Sequence, residues 1–112
     1  IRFLPNPNYE PGLAELTGRD AGVATFLENQ PEVARWLDRT AEVLSEWVPA
    51  YAAEPRSYLT VSVGCTGGRH RSVYAVEQLA RLLRDRAPTV LVRHRELGGE
   101  PTETPETSGT GE

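Results

Sequence analysis

Apolar and polar positions alternate in two different periods along this chain. Val33, Trp36, Leu37, Leu44, Trp47, Val48 and Tyr51 recur at helical spacing, with Glu32, Arg35, Asp38, Arg39, Glu42 and Glu46 between them. This pattern predicts an amphipathic helix that opens at Pro31 and is kinked or ended by Pro49 near Val48. Trp36 and Trp47 are expected as core anchors. Val73, Val76, Ala80 and Leu83, widened by Leu79 and Leu82, predict a further helix from Ser72 to Arg86. A short helix is expected from Asp20, as N-cap, to about Glu28, burying Val23, Phe26 and Leu27. Three runs read as strands: Ile1–Leu4, the alternating Tyr58–Val63, and Thr89–Arg93. The order strand, helices, strand, helix, strand implies parallel strands with right-handed crossovers. The expected fold class is therefore α/β: a small, open, mainly parallel sheet flanked by helices. From Gly98 onward Gly, Pro, Thr, Ser and Glu dominate, and a disordered C-terminal tail is expected.

Between the second strand and the last helix lies Gly64-Cys65-Thr66-Gly67-Gly68-Arg69-His70-Arg71-Ser72. Glycines let a backbone turn tightly and approach a ligand closely. The first amides of a helix have no partner inside it, and its dipole favours negative charge. Arg69 and Arg71 add cationic forks suited to phosphate. Together these predict an anion site, with phosphate the expected anion. His70 is expected to touch the ligand, whereas His94 is expected to be structural. Asn6 and Asn8, in the proline-rich segment after the first strand, either face the same crevice or make only local turn bonds. No Gly-Lys-Ser/Thr ending marks the loop as a Walker A motif, and no ligand spacing suggests a metal or other cofactor.

Composition narrows the partners. The 112 residues carry a net charge of −4, but four of the acidic residues are the glutamates of the segment from Glu100 to Glu112. The rest of the chain is balanced, with 12 basic residues, all arginine. That is not the footprint of a strong nucleic-acid binder. No apolar run is long enough to predict a membrane span. The single Cys65 forms no internal disulfide and fits a reducing compartment, so a cytoplasmic location is expected.

Cys65-x-x-Gly68-x-x-Arg71-Ser72 also fits the loop of cysteine phosphatases, in which a thiolate at a helix N-terminus attacks phosphorus. The expected reading of Cys65 is a small lining residue, with nucleophile as the alternative. The general acid such a mechanism needs is not identified by the sequence. A third alternative is a protein-binding or oligomerisation module whose loop is only structural.

Arg2-Phe3-Leu4-Pro5-Asn6-Pro7, Leu16-Thr17-Gly18, Arg56-Ser57-Tyr58-Leu59-Thr60 and Gly64 to Tyr74 resemble the C-terminal domain of the RapZ/YvcJ family of bacterial nucleotide-binding proteins. The resemblance spans about residues 1–97, leaving 98–112 as an acidic tail. It implies a non-catalytic domain, truncated at its N-terminus, that senses a phosphorylated small molecule such as glucosamine-6-phosphate or a nucleotide-sugar. It implies a homo-oligomer, and ATPase and GTPase activity residing in a P-loop domain outside this chain. Thr66, Gly67, Gly68, His70, Arg71 and Ser72 would hold the phosphate, and the Asn8 position would reach the sugar. The adapter branch of the family carries His at that position. It also ends in a basic RNA-binding cluster where this chain runs Gly98-Gly99-Glu100-Pro101, so RNA is not expected as a partner.

Overall fold

A computed structural model describes residues 1–53, 59–86, 90–97 and 102–103. Three helices dominate: α1 (Ala21–Glu28), α2 (Pro31–Ala52) and α3 (Arg71–Leu83). Short 3-10 turns cover Pro7–Tyr9 and Arg84–Arg86. The strands are β1 (Leu91–Val92) and β2 (Thr102–Glu103), paired antiparallel with Leu91 opposite Glu103.

The expected parallel sheet is therefore corrected to a mainly helical architecture. Among the described residues no strand forms at Ile1–Leu4 or between Leu59 and Val63. The reason at the first segment is visible. Leu4 N–H turns back to the Ile1 carbonyl, and the Arg2 and Leu4 carbonyls accept from Arg71 Nη1, at 2.7 and 2.9 Å. These carbonyls point at a guanidinium rather than along a neighbouring strand, and Pro5 and Pro7 have no donors to offer a ladder. Residues 59–63 carry no regular secondary structure, and Ile1 N donates to the carbonyl of Gly64 just beyond them. This contact and the two Arg71 bonds set the first segment beside the glycine loop without a ladder. The last expected strand survives only as Leu91–Val92, paired with a segment expected to be disordered. Thr89, Tyr58 and residues 98–101 and 104–112 of those expectations lie outside the described residues.

The helices follow the sequence pattern more closely. Asp20 sits at the N-cap of α1, but its carboxylate reaches back to the Thr17 amide at 2.7 Å rather than forward into the helix. Gln30 closes α1, donating from Nε2 to the Phe26 carbonyl, and its own carbonyl accepts from Val33 and Ala34 to open α2. Pro31 occupies the first helical position, where a missing N–H costs nothing. Pro49 does not end α2, which continues to Ala52, with Ala53 N–H bonded to the Pro49 carbonyl. So close to the C-terminus, its missing donor removes one bond from the final turns rather than breaking the helix.

Val23 and Leu27 of α1, Val33 and Leu37 of α2, and Tyr74, Ala75 and Leu79 of α3 enclose the core together with Leu4. Leu13, Leu16, Phe26 and Trp36 pack around it. The core thus engages only the first half of α2. Val43, Trp47 and Tyr51 continue the helical stripe but stay about half exposed, so Trp47 is not the core anchor its spacing predicts. Leu82 is likewise exposed.

Candidate functional site

Residues 64–70 lead into α3. Gly67 and Gly68 adopt φ of +82° and +67°, conformations that side chains disfavour. Gly68 is also crowded: a Cβ there would stand 2.8 Å from Glu96 Cγ. The turn they make brings Cys65 back over the helix start, where its Sγ accepts from the Ser72 amide at 3.3 Å. Burial by itself would raise the Cys65 thiol pKa. Hydrogen bonds from the Ser72 side chain and amide and from the Gly68 amide, together with the charge of Arg71, outweigh it and leave the thiol below its ordinary value.

The first turn of α3 is polar and buried. Arg71 is 3% exposed and His70 7%. Arg71 Nη1 holds the Arg2 and Leu4 carbonyls, while its Nε and His70 Nε2 are buried without a protein partner among the described residues. Buried polar nitrogens in native folds are nearly always satisfied, so each of these two is an exception that calls for a partner. Arg69 is exposed, and its Nη2 donates to the Glu15 carbonyl at 3.1 Å. Thr66 and Gly67 are exposed on the rim.

The structure thus gathers Cys65, Gly68, Arg71 and Ser72 into one cluster, with Thr66, Gly67, Arg69 and His70 in the connecting turn. Asn6 is different: its Oδ1 accepts from the Asn8 amide at 3.0 Å and caps the 3-10 turn. That is the local turn bond weighed above, and among the described residues no hydrogen bond links Asn6 or exposed Asn8 to the loop.

Other residues pack around the loop and brace it. Gly18 donates its amide to the Arg69 carbonyl at 2.7 Å and is pressed against α3: a Cβ on it would lie 2.4 Å from His70 O and Tyr74 N. Beside it, Arg19 Nε meets Glu77 Oε2 at 3.1 Å, and the buried His94 Nε2 meets the same oxygen at 2.7 Å. Burial would raise the Glu77 pKa, but its hydrogen bonds to His94 and Arg19 and their charges hold it below the ordinary carboxylate range. The Leu16-Thr17-Gly18 resemblance pointed to Gly18. Nothing in spacing pointed to Glu77, which lies inside an apolar helical stripe.

Among the described residues, no group of three or more His, Cys, Asp or Glu side chains is placed to hold a metal ion. None of their helices is long and apolar enough to cross a membrane. A groove of about 230 Å³ between α2 and α3 is lined by Val33, Leu37, Tyr74, Gln78 and Arg81 among others, and includes none of the loop residues.

A loop thus turns through two left-handed glycines into a helix whose start buries His70 and Arg71. Residues 1–98 match the family described as the RapZ C-terminal domain, and the chain belongs to that family. It is 59% identical over 97 residues to a protein named nucleotide-binding protein from Methylibium petroleiphilum, covering 87% of this chain and 32% of that protein. Identity is 57% over 98 residues to a nucleotide-binding protein from Acidithiobacillus ferrooxidans, covering 88% and 33%. It is 50% over 105 residues to one from Azoarcus, covering 94% and 36%. The chain therefore spans about a third of the length of these curated relatives.

Proposed function

We propose that the loop from Gly64 to Ser72 binds the phosphate of a small phosphorylated metabolite and that the domain acts as a non-catalytic sensor within a nucleotide-binding protein. The observation that carries this reading is the pair of buried, unpartnered nitrogens, His70 Nε2 and Arg71 Nε, at the N-terminus of α3. An anion seated there would also meet the positive end of the helix dipole and the turn made by Gly67 and Gly68. The relatives' name supports a nucleotide as ligand, and the family resemblance supports an amino-sugar phosphate or a nucleotide-sugar. The test is calorimetric titration of the chain with glucosamine-6-phosphate, UDP-N-acetylglucosamine, ATP, GTP and inorganic phosphate. One phosphorylated compound binds selectively, and His70→Ala weakens it by about tenfold or more. His70 is the better probe than Arg71, because Arg71 also holds the Arg2 and Leu4 carbonyls. Binding unaffected by His70→Ala would remove the reading.

One observation favours a second reading. The lowered Cys65 thiol, with the Ser72 amide on its sulfur, is suited to nucleophilic attack on a phosphomonoester. Arg71 argues the other way, since Nη1 is committed to two backbone carbonyls. Turnover of p-nitrophenyl phosphate, lost in Cys65→Ser, would decide for the enzyme; its absence leaves the sensor.

A further inference from the structure

Three segments far apart in sequence converge on one carboxylate oxygen. Arg19 comes from the turn before α1, Glu77 from the second turn of α3, and His94 from the segment after β1. Exposed ion pairs of this kind contribute little. This one differs in having a buried imidazole as its second partner. The His94 side chain is 4% exposed and has Glu77 as its hydrogen-bond partner at 2.7 Å. Removing the carboxylate leaves a buried polar ring nitrogen without that partner, which costs more than an exposed pair gains.

Each of the converging segments also touches the loop. Gly18, next to Arg19, donates to the Arg69 carbonyl and lies with its bare Cα against the His70 carbonyl and the Tyr74 amide. Glu96, two residues after His94, packs its Cγ over Gly68. Helix α3 itself continues from the loop. The Thr17–Asp20 turn and the 94–97 turn therefore form two walls about the loop, and Glu77 ties both of them to the helix.

We propose that Glu77, oriented by His94, is a positioning residue for the anion loop, acting through Arg19 to hold the Gly18 backbone against Arg69 and His70. Its consequence for binding rests on the phosphate reading given above; its consequence for the loop backbone does not. Glu77 does not contact the anion. It fixes the turn that keeps the Arg69 carbonyl engaged and the start of α3 in place. A glutamine there keeps an oxygen acceptor for either partner and loses the charge, so it restores part of the effect.

The test compares the wild-type chain with Glu77→Ala and Glu77→Gln by two NMR measurements. The first is hydrogen exchange of the Gly18 amide, with the Leu37 amide in α2 as a control for global stability. The second is titration with inorganic phosphate, followed at the Gly67 and Gly68 amides. In Glu77→Ala, Gly18 exchange rises about tenfold while Leu37 is unchanged, and phosphate binds about tenfold more weakly. Glu77→Gln falls between the two. Gly18 exchange that stays at the wild-type rate, or that rises only as much as Leu37, overturns the positioning role whatever phosphate does. A loosened Gly18 with unchanged phosphate affinity overturns the link to binding. Wild-type chain that fails to bind phosphate removes the anion reading instead, and the Gly18 comparison still judges Glu77.

Discussion

At the start of α3, the side chains of His70, Arg71 and Ser72 are buried; near the end of α2, Val43, Trp47 and Tyr51 are 57, 55 and 50% exposed. The two regions invert the usual relation of polarity to burial. In the first, burying a guanidinium is offset by two backbone carbonyls, while Arg71 Nε and His70 Nε2 have no partner among the described residues. In the second, an apolar stripe runs past the end of the core that receives its first half. Helical period says which residues share a face. It does not say how far along the helix that face is covered.

Substitutions at packed and open positions sharpen the contrast, and the largest effect is expected at Gly18. A Cβ there meets the backbone of His70 and Tyr74 at 2.4 Å, and backbone cannot swing aside as a side chain can. Gly18→Ala should cost about 3 kcal/mol in urea unfolding. Gly64→Ala, with nothing within 4 Å of its Cβ, should change little. Equal effects would mean that the Gly18 contact with α3 is not tight.

The two halves of α2 form a matched pair of the same kind. Leu37→Ala should cost about 2–3 kcal/mol, because Leu37 lies in the core. Trp47→Ala should stay within about 0.5 kcal/mol in the isolated chain. A large, concentration-dependent loss of stability in Trp47→Ala would instead show that self-association covers the stripe.

A smaller effect concerns acid. The Glu77 carboxyl lies below its ordinary value in the folded chain. Its contribution to stability is therefore complete above its unfolded pKa, about 4.3, and is lost as the pH falls through the lower folded value. Unfolding titrations from pH 6 to pH 3 should show this loss in the wild type and not in Glu77→Gln. The least change in free energy, and the simplest to read, is at Cys65. Its lowered thiol predicts an alkylation rate by iodoacetamide whose pH midpoint lies below that of free cysteine. A midpoint above it would mean that burial outweighs the Ser72 and Gly68 bonds.

The sequence by itself determined the helices, the loop and the family. The i, i+3, i+4 spacing marked α2 and α3, Pro31 and Asp20 marked helix starts, and the glycine pair marked the turn, because these are local consequences of side-chain shape and backbone freedom. The loop motif and its flanking segments were specific enough to identify the RapZ C-terminal domain. The tertiary structure alone decided what the apolar runs at residues 1–4 and 59–63 do. A strand is not a local object: it forms only where a neighbour offers a ladder, and here Arg71 takes two of the carbonyls that one would need. Only the fold, too, brought Gly18, Arg19, Glu77 and His94 around the loop, since contacts between residues so far apart in the chain leave no period or spacing behind.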